Sequence, residues 1–131
     1  MPDTTHANKV SLQKIVEIFN TGDLSEVDSL FSSTYVDHQR PFWLDANGPE
    51  EFKQIVLSAR ESLPNLCVTI EDVIAEGERV VARLQWRSTP SEGTKIERET
   101  IDILRFARGK AVEHWGAQAW VKEAVSNDQV S

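Results

Sequence analysis

The chain has 131 residues, a single cysteine and a net charge of −7, with 40% hydrophobic and 27% charged residues. That length supports one buried core rather than two, and no apolar run reaches the roughly 20 residues of a membrane helix. The acidic balance argues against nucleic acid or an anionic membrane as partner, because phosphate-binding surfaces need excess Lys and Arg. Small-molecule chemistry, small-molecule binding and protein association are left. The polar start MPDTTHANK has no apolar signal core, so a cytoplasmic location is expected. Cys67, inside LCVTI, reads as a buried small hydrophobe.

One domain over residues 1–131 is expected, with residues 1–8 and 122–131 as loose tails. From Val10, the positions Leu12, Ile15, Val16 and Phe19 follow the spacing of one helical face. Asn20-Thr21-Gly22 stops that helix, with Gly22 suited to the left-handed cap. Asp23 followed by Glu26 has the spacing of a capping box, which predicts a second short helix with Leu24, Val27, Leu30 and Phe31 inward. Tyr35-Val36-Asp37-His38 reads as a short extended piece, and QRPFWLDANGP as a loop carrying two large aromatics. Pro49 suits the first turn of a third helix, with Glu50 and Glu51 favourable at its positive end. Phe52, Ile55, Val56, Ala59 and Leu63 form its apolar stripe.

After Pro64-Asn65 the period changes from helical to alternating. Leu66–Ala75, Arg79–Ser88, Lys95–Ala107 and Lys110–Trp120 read as strands rich in Val, Ile, Thr and Trp. Glu76-Gly77-Glu78 and Arg108-Gly109 are tight connections, and Thr89–Thr94 is a looser one. Short connections force antiparallel neighbours, so these strands form a meander. The fold class is therefore α+β: three N-terminal helices packed on a curved four-to-six-stranded antiparallel sheet, forming a cone with an internal pocket. Val80, Ala82, Leu84 and Trp86 share one face of their strand; Arg98, Thr100, Asp102, Leu104 and Phe106 share one face of the next. A bulge would switch this parity, so alternation alone does not assign the pocket face. Apolar residues on both faces predict a homodimer through the outer one.

Several short pieces resemble the SnoaL-like polyketide cyclases of the nuclear-transport-factor-two-like, or ketosteroid-isomerase-like, superfamily. They are Tyr35-Val36-Asp37-His38, Gly48-Pro49-Glu50-Glu51-Phe52, Pro64-Asn65-Leu66 leading into Ile70–Gly77, Ile101–Phe106, and Gly109-Lys110 with Val112-Glu113-His114-Trp115. The resemblance implies an enzyme without a cofactor, acting on an apolar, polyketide-like or polycyclic small molecule. In such cyclases a base removes a proton from a carbon between carbonyls, the enolate closes on a second carbonyl, and an acid protonates the new alkoxide. One carboxylate or imidazole in an apolar pocket suffices as the base. The implied catalytic positions are His38, Asp102, His114 and Ala119; the implied substrate contacts are Tyr35, Trp43, Gln85, Trp86, Arg98 and Gln118.

Two departures bear on the chemistry. The family often has an Asp five residues after the His of the His-Trp pair, where this chain has Ala119, and a Thr-His where this chain has Thr89-Pro90. Either other residues carry the proton transfer, or the chain binds without catalysing, or position 119 carries a substitution. Asp37 reads as an orienting partner of His38 or as a solvated cap. Asp102, in an apolar strand, either pairs with Arg83, Arg98 or Arg105 or stands in the pocket as the acid–base group. Trp115 reads as core, and Trp43 as a lid or wall for a flat substrate. A weaker resemblance to limonene epoxide hydrolases rests on Glu97-Arg98, although Thr100 and Ala119 occupy places where those enzymes need carboxylates. The scattered histidines make a metal site an unexpected feature.

Overall fold

The computed structural model describes residues 4–125, with side chains through residue 119. Helix α1 (Thr4–Thr21) buries Leu12, Ile15 and Val16, the stripe its periodicity predicts. It starts at Thr4 rather than Val10, so residues 4–8 are helical instead of a loose tail, and Asn8 is buried. Gly22 ends it at φ 75°, with its N–H on the Ile18 carbonyl at 2.8 Å. The second helix, α2 (Val27–Leu30), is shorter than expected and has no side-chain cap. Asp23 accepts instead from the Ser25 N–H at 2.9 Å, a local turn that replaces the capping box. Phe31 accordingly opens a strand, β1 (Phe31–Asp37). Helix α3 (Pro49–Ser62) buries Phe52 and Val56, and also Glu51.

The meander follows as β2 (Cys67–Glu76), β3 (Arg79–Ser88), β4 (Thr94–Ala107) and β5 (Lys110–Val125). All three of its pairings are antiparallel. At its last hairpin, Arg108 and Gly109 both take positive φ, 55° and 79°, the requirement of a tight two-residue turn that matches strand twist. Strand β5 runs on to Val125, so residues 122–125 are strand rather than tail. The sheet order is β1-β5-β4-β3-β2. Strand β1 lies parallel to β5, so the open sheet is mixed and not wholly antiparallel.

The helices cover one face, and the core lies between them and the sheet around Phe31, Val56, Val80 and Phe106. Because successive strand residues point to opposite faces, the buried Val68 leaves its neighbour Cys67 exposed, contrary to the expectation for that cysteine. Ile74 and Ile101 stand exposed on the outer face, the surface on which the expected homodimer would close.

One side chain fastens helix to sheet. Asn20 Oδ1 accepts from the Val68 N–H at 2.7 Å, and its Nδ2 donates to the Val68 carbonyl at 2.9 Å. Asn20→Ala is expected to lower stability by about 2 kcal/mol, two modest bonds plus an orphaned strand-end amide, read as an earlier urea midpoint with an unchanged slope.

Candidate functional site

Strand alternation places Arg98, Thr100 and Asp102 of β4 and Ala82, Leu84 and Trp86 of β3 on the concave face. Together with α1, α3 and the loop after β1 they enclose a cavity of about 370 Å³. Its walls are chiefly apolar, among them Leu12, Phe19, Phe52 and Leu104. A chain of polar side chains enters this apolar space from β1, β4 and β5.

At its centre is His114. The register that pairs Asp37 with His114 across β1 and β5, and Leu104 with His114 across β4 and β5, brings two carboxylates to one imidazole. Nδ1 lies 2.7 Å from Asp37 Oδ1, and Nε2 lies 2.7 Å from Asp102 Oδ1. The other Asp102 oxygen accepts from the Thr100 hydroxyl at 2.7 Å, and Thr100 Oγ1 accepts from the Trp86 indole N–H at 2.9 Å. Asp37 Oδ1 also accepts from the Gln39 N–H at 2.8 Å. Burial pushes the His114 imidazole down, but its hydrogen bonds to Asp102 and Asp37, and their charge, outweigh that and raise it to about 9. At neutral pH it is an imidazolium with both N–H groups donated, a polar network satisfied within an apolar shell.

Asp37 is supported from behind. Its backbone N–H reaches Glu51 Oε1 at 3.3 Å. Arg40 Nε stands 3.1 Å from Glu51 Oε2, an ion-pair contact without hydrogen-bond geometry. Burial is the main cause that raises the Glu51 carboxyl, partly offset by Arg40. Tyr35, buried and bonded to Asp37, has its phenol pushed up by burial and by the Asp37 and Glu51 charges, so it stays neutral.

Gly116 makes room for the cluster. A Cβ there would strike the Gln39 side-chain oxygen and come within 2.7 Å of Asp102 Oδ1. Gly116→Ala is therefore expected to push Asp102 off His114, costing about 1–3 kcal/mol of stability. If the cluster performs the chemistry, turnover falls by roughly tenfold or more. Denaturation midpoints and initial rates on the same preparation check both.

Residues 9–118 match the family model of the SnoaL-like polyketide cyclases. The chain belongs to that family. Among solved structures, a candidate polyketide cyclase from Bacillus cereus is 28% identical, covering 83% of this chain and 72% of its own, with a TM-score of 0.76. Wild-type IdmH, a candidate polyketide cyclase from Streptomyces antibioticus, is 22% identical over 86% of this chain and 91% of its own, with a TM-score of 0.74. AclR, a candidate hydroxylase from Streptomyces galilaeus, is 21% identical over 87% and 79%, with a TM-score of 0.70. The last two likenesses show the fold alone. No functionally curated protein matches the chain.

In this SnoaL-like chain, Asp102 and His114 meet in the cavity, and Tyr35, Trp43, Trp86, Arg98 and Gln118 line it. The expected pairing of Asp102 with Arg83, Arg98 or Arg105 does not occur: Arg83 binds Asp72 and Glu99, and Arg105 binds Glu78 and Glu113. His38 does not join the cluster. It points to the outer face, with a side chain 41% exposed. There it bonds Glu113 at 3.0 Å and stacks on Trp115 at 5.0 Å. Trp115 is a half-buried ring outside the core cluster, with Arg79 over it at 5.6 Å. Gln85 is buried but lies on the face away from the cavity, one residue out of phase with Leu84 and Trp86. Ala119 is exposed and does not line the cavity; it sits at a bulge, where Glu99 pairs with Trp120 and Thr100 with Gln118. Asp37, read as a partner of His38 or a cap, and Glu51, read as a helix-end charge, are the site residues that the sequence did not single out.

Proposed function

We propose that the chain is a cofactor-independent cyclase or isomerase, acting on an apolar, polyketide-like small molecule by general acid–base catalysis. The observation that carries this reading is the Asp37–His114–Asp102 chain opening into an apolar cavity. Asp102 is the acid–base group. Its carboxylate takes a proton from a carbon flanked by carbonyls, the electron pair passing to a carbonyl oxygen as an enolate. In a cyclisation the enolate carbon attacks a second carbonyl, and the same proton returns from Asp102 to the new alkoxide. In an isomerisation it returns to a different carbon. Proton transfer by one positioned group contributes about 10²–10⁴-fold. Both N–H groups of His114 are engaged by carboxylates, so His114 fixes the Asp102 carboxylate in position instead of meeting the substrate carbon, and Asp37 orients His114 in turn.

Position 119 has no part in this scheme. Its exposure outside the cavity supports a reading in which Ala119 is not a lost catalyst. Ala119→Asp is expected to leave turnover of a β-diketone probe within roughly twofold, as for other surface substitutions worth about 0.5 kcal/mol. A gain on the order of a hundredfold would restore the family position as the acid–base group and make the present chain a binder.

A further inference from the structure

Among the described residues two cationic side chains line the cavity, His114 and Arg98. The charge of His114 is met by Asp37 and Asp102. That of Arg98 is not: its Nε is buried and has no hydrogen-bond partner among the described residues. The position across from Arg98 on β3 is Trp86, which has no acceptor side chain. Its chain neighbours Glu97 and Glu99 alternate to the other face, where Glu99 holds Arg83 at 2.6 Å. A guanidinium does not lose its charge by deprotonation, so an unmet N–H in this apolar setting is a desolvation cost with no return inside the described protein. Nε itself is closed off, so a ligand in the cavity meets the guanidinium at its two Nη groups, whose planar end also fits a carboxylate with two parallel hydrogen bonds.

The geometry points to a ligand that carries a carboxylate, docked on Arg98, with an apolar body against Trp86 and Phe19. Arg98, Thr100 and Asp102 share one face of β4, so Arg98 and Asp102 lie about 13 Å apart along the strand. The two side chains therefore hold separate parts of one elongated molecule: Arg98 its acidic end and, on the proposed function, Asp102 its reacting carbon. Arg98 is a specificity-determining residue in this arrangement and takes no proton.

Calorimetric titration of the whole chain with naphthalene-2-carboxylate and with naphthalene-2-carboxamide, near-isosteric probes of different charge, tests this. The carboxylate is expected to bind roughly ten- to a hundredfold tighter, the range of a charge-assisted hydrogen-bonded pair. Arg98→Met keeps the aliphatic stem and should abolish that preference, lowering carboxylate affinity far more than carboxamide affinity, whose carbonyl loses only a neutral-acceptor hydrogen bond. Arg98→Lys should restore part of it. Equal affinity of the wild-type chain for the two probes overturns the inference, as does a preference that survives Arg98→Met or no carboxylate binding at millimolar concentration. Catalysis is read separately, as proton exchange on a neutral diketone. A chain with the carboxylate preference and no exchange contradicts the proposed function alone; exchange without the preference contradicts the carboxylate site alone.

Discussion

Asp102→Asn is expected to reduce turnover of a β-diketone probe by about 10²–10⁴-fold, the contribution of one positioned proton-transfer group. Asparagine has nearly the same shape, and its carbonyl oxygen can still accept from His114 Nε2 where Asp102 Oδ1 now lies at 2.7 Å. Its amide nitrogen cannot accept from Thr100, whose hydroxyl now donates to Asp102 at 2.7 Å, so that hydroxyl must turn. The fold should survive this change, and the basicity should not. Initial-rate kinetics beside a urea titration separate the two. The unfolding midpoint falls by the part of the His114 stabilisation that the Asp102 charge supplies, while kcat, read where the variant is still fully folded, falls by the far larger factor. Loss confined to KM would reduce Asp102 to a binding contact.

The second large effect is on stability, through His114. Its folded-state pKa of about 9 lies above the ordinary value of 6.5, so the folded chain binds a proton more tightly than the unfolded one. The resulting stabilisation is complete below about pH 6.5 and is lost as pH rises through about 9. A displacement of that size corresponds to something on the order of 3 kcal/mol. Replacing His114 with Gln removes this component, so the wild-type chain should lose markedly more stability than His114→Gln between pH 6.5 and pH 9.5. Parallel slopes for the two proteins across that window would mean that His114 is not held as an imidazolium.

The helical stripes of α1 and α3 and the four-strand meander were legible because each depends on residues close in sequence. The apolar period of Leu12, Ile15 and Val16 sets one helix, and the turn at Arg108-Gly109 sets one hairpin. What was not legible depended on a distant pairing. Strand β1 joins β5 in parallel across the whole length of the chain, and no local signal announces that partner. That pairing is what gives Asp37 to His114 instead of to the adjacent His38. Neighbours in an extended strand face opposite ways, so Asp37 and His38 could not share one site once β1 became a strand. The same parity separates Gln85 from Trp86. Ala119 shows the complementary limit. It stands an odd five residues after His114, so the unbroken register from His114 to Gln118 turns it off the cavity face. The bulge of β5 falls at that position instead of before it, where it would have turned residue 119 inward; sequence spacing alone does not locate a bulge. Glu51 looked like an ordinary charge at a helix start, and only the approach of Arg40 and of the Asp37 backbone makes it a buried support.

Proton abstraction can be watched apart from ring closure. A bicyclic β-diketone such as 2-acetyl-1-tetralone is incubated in deuterated buffer, and loss of the signal of the proton between its carbonyls is followed by proton NMR with and without protein. The wild-type chain should exchange that proton well above the buffer rate, and Asp102→Asn, folded and still binding the diketone, should fall back to it. Exchange at the buffer rate by a wild-type chain that binds the probe, or equal acceleration by Asp102→Asn, would contradict the assignment of Asp102 as the acid–base group.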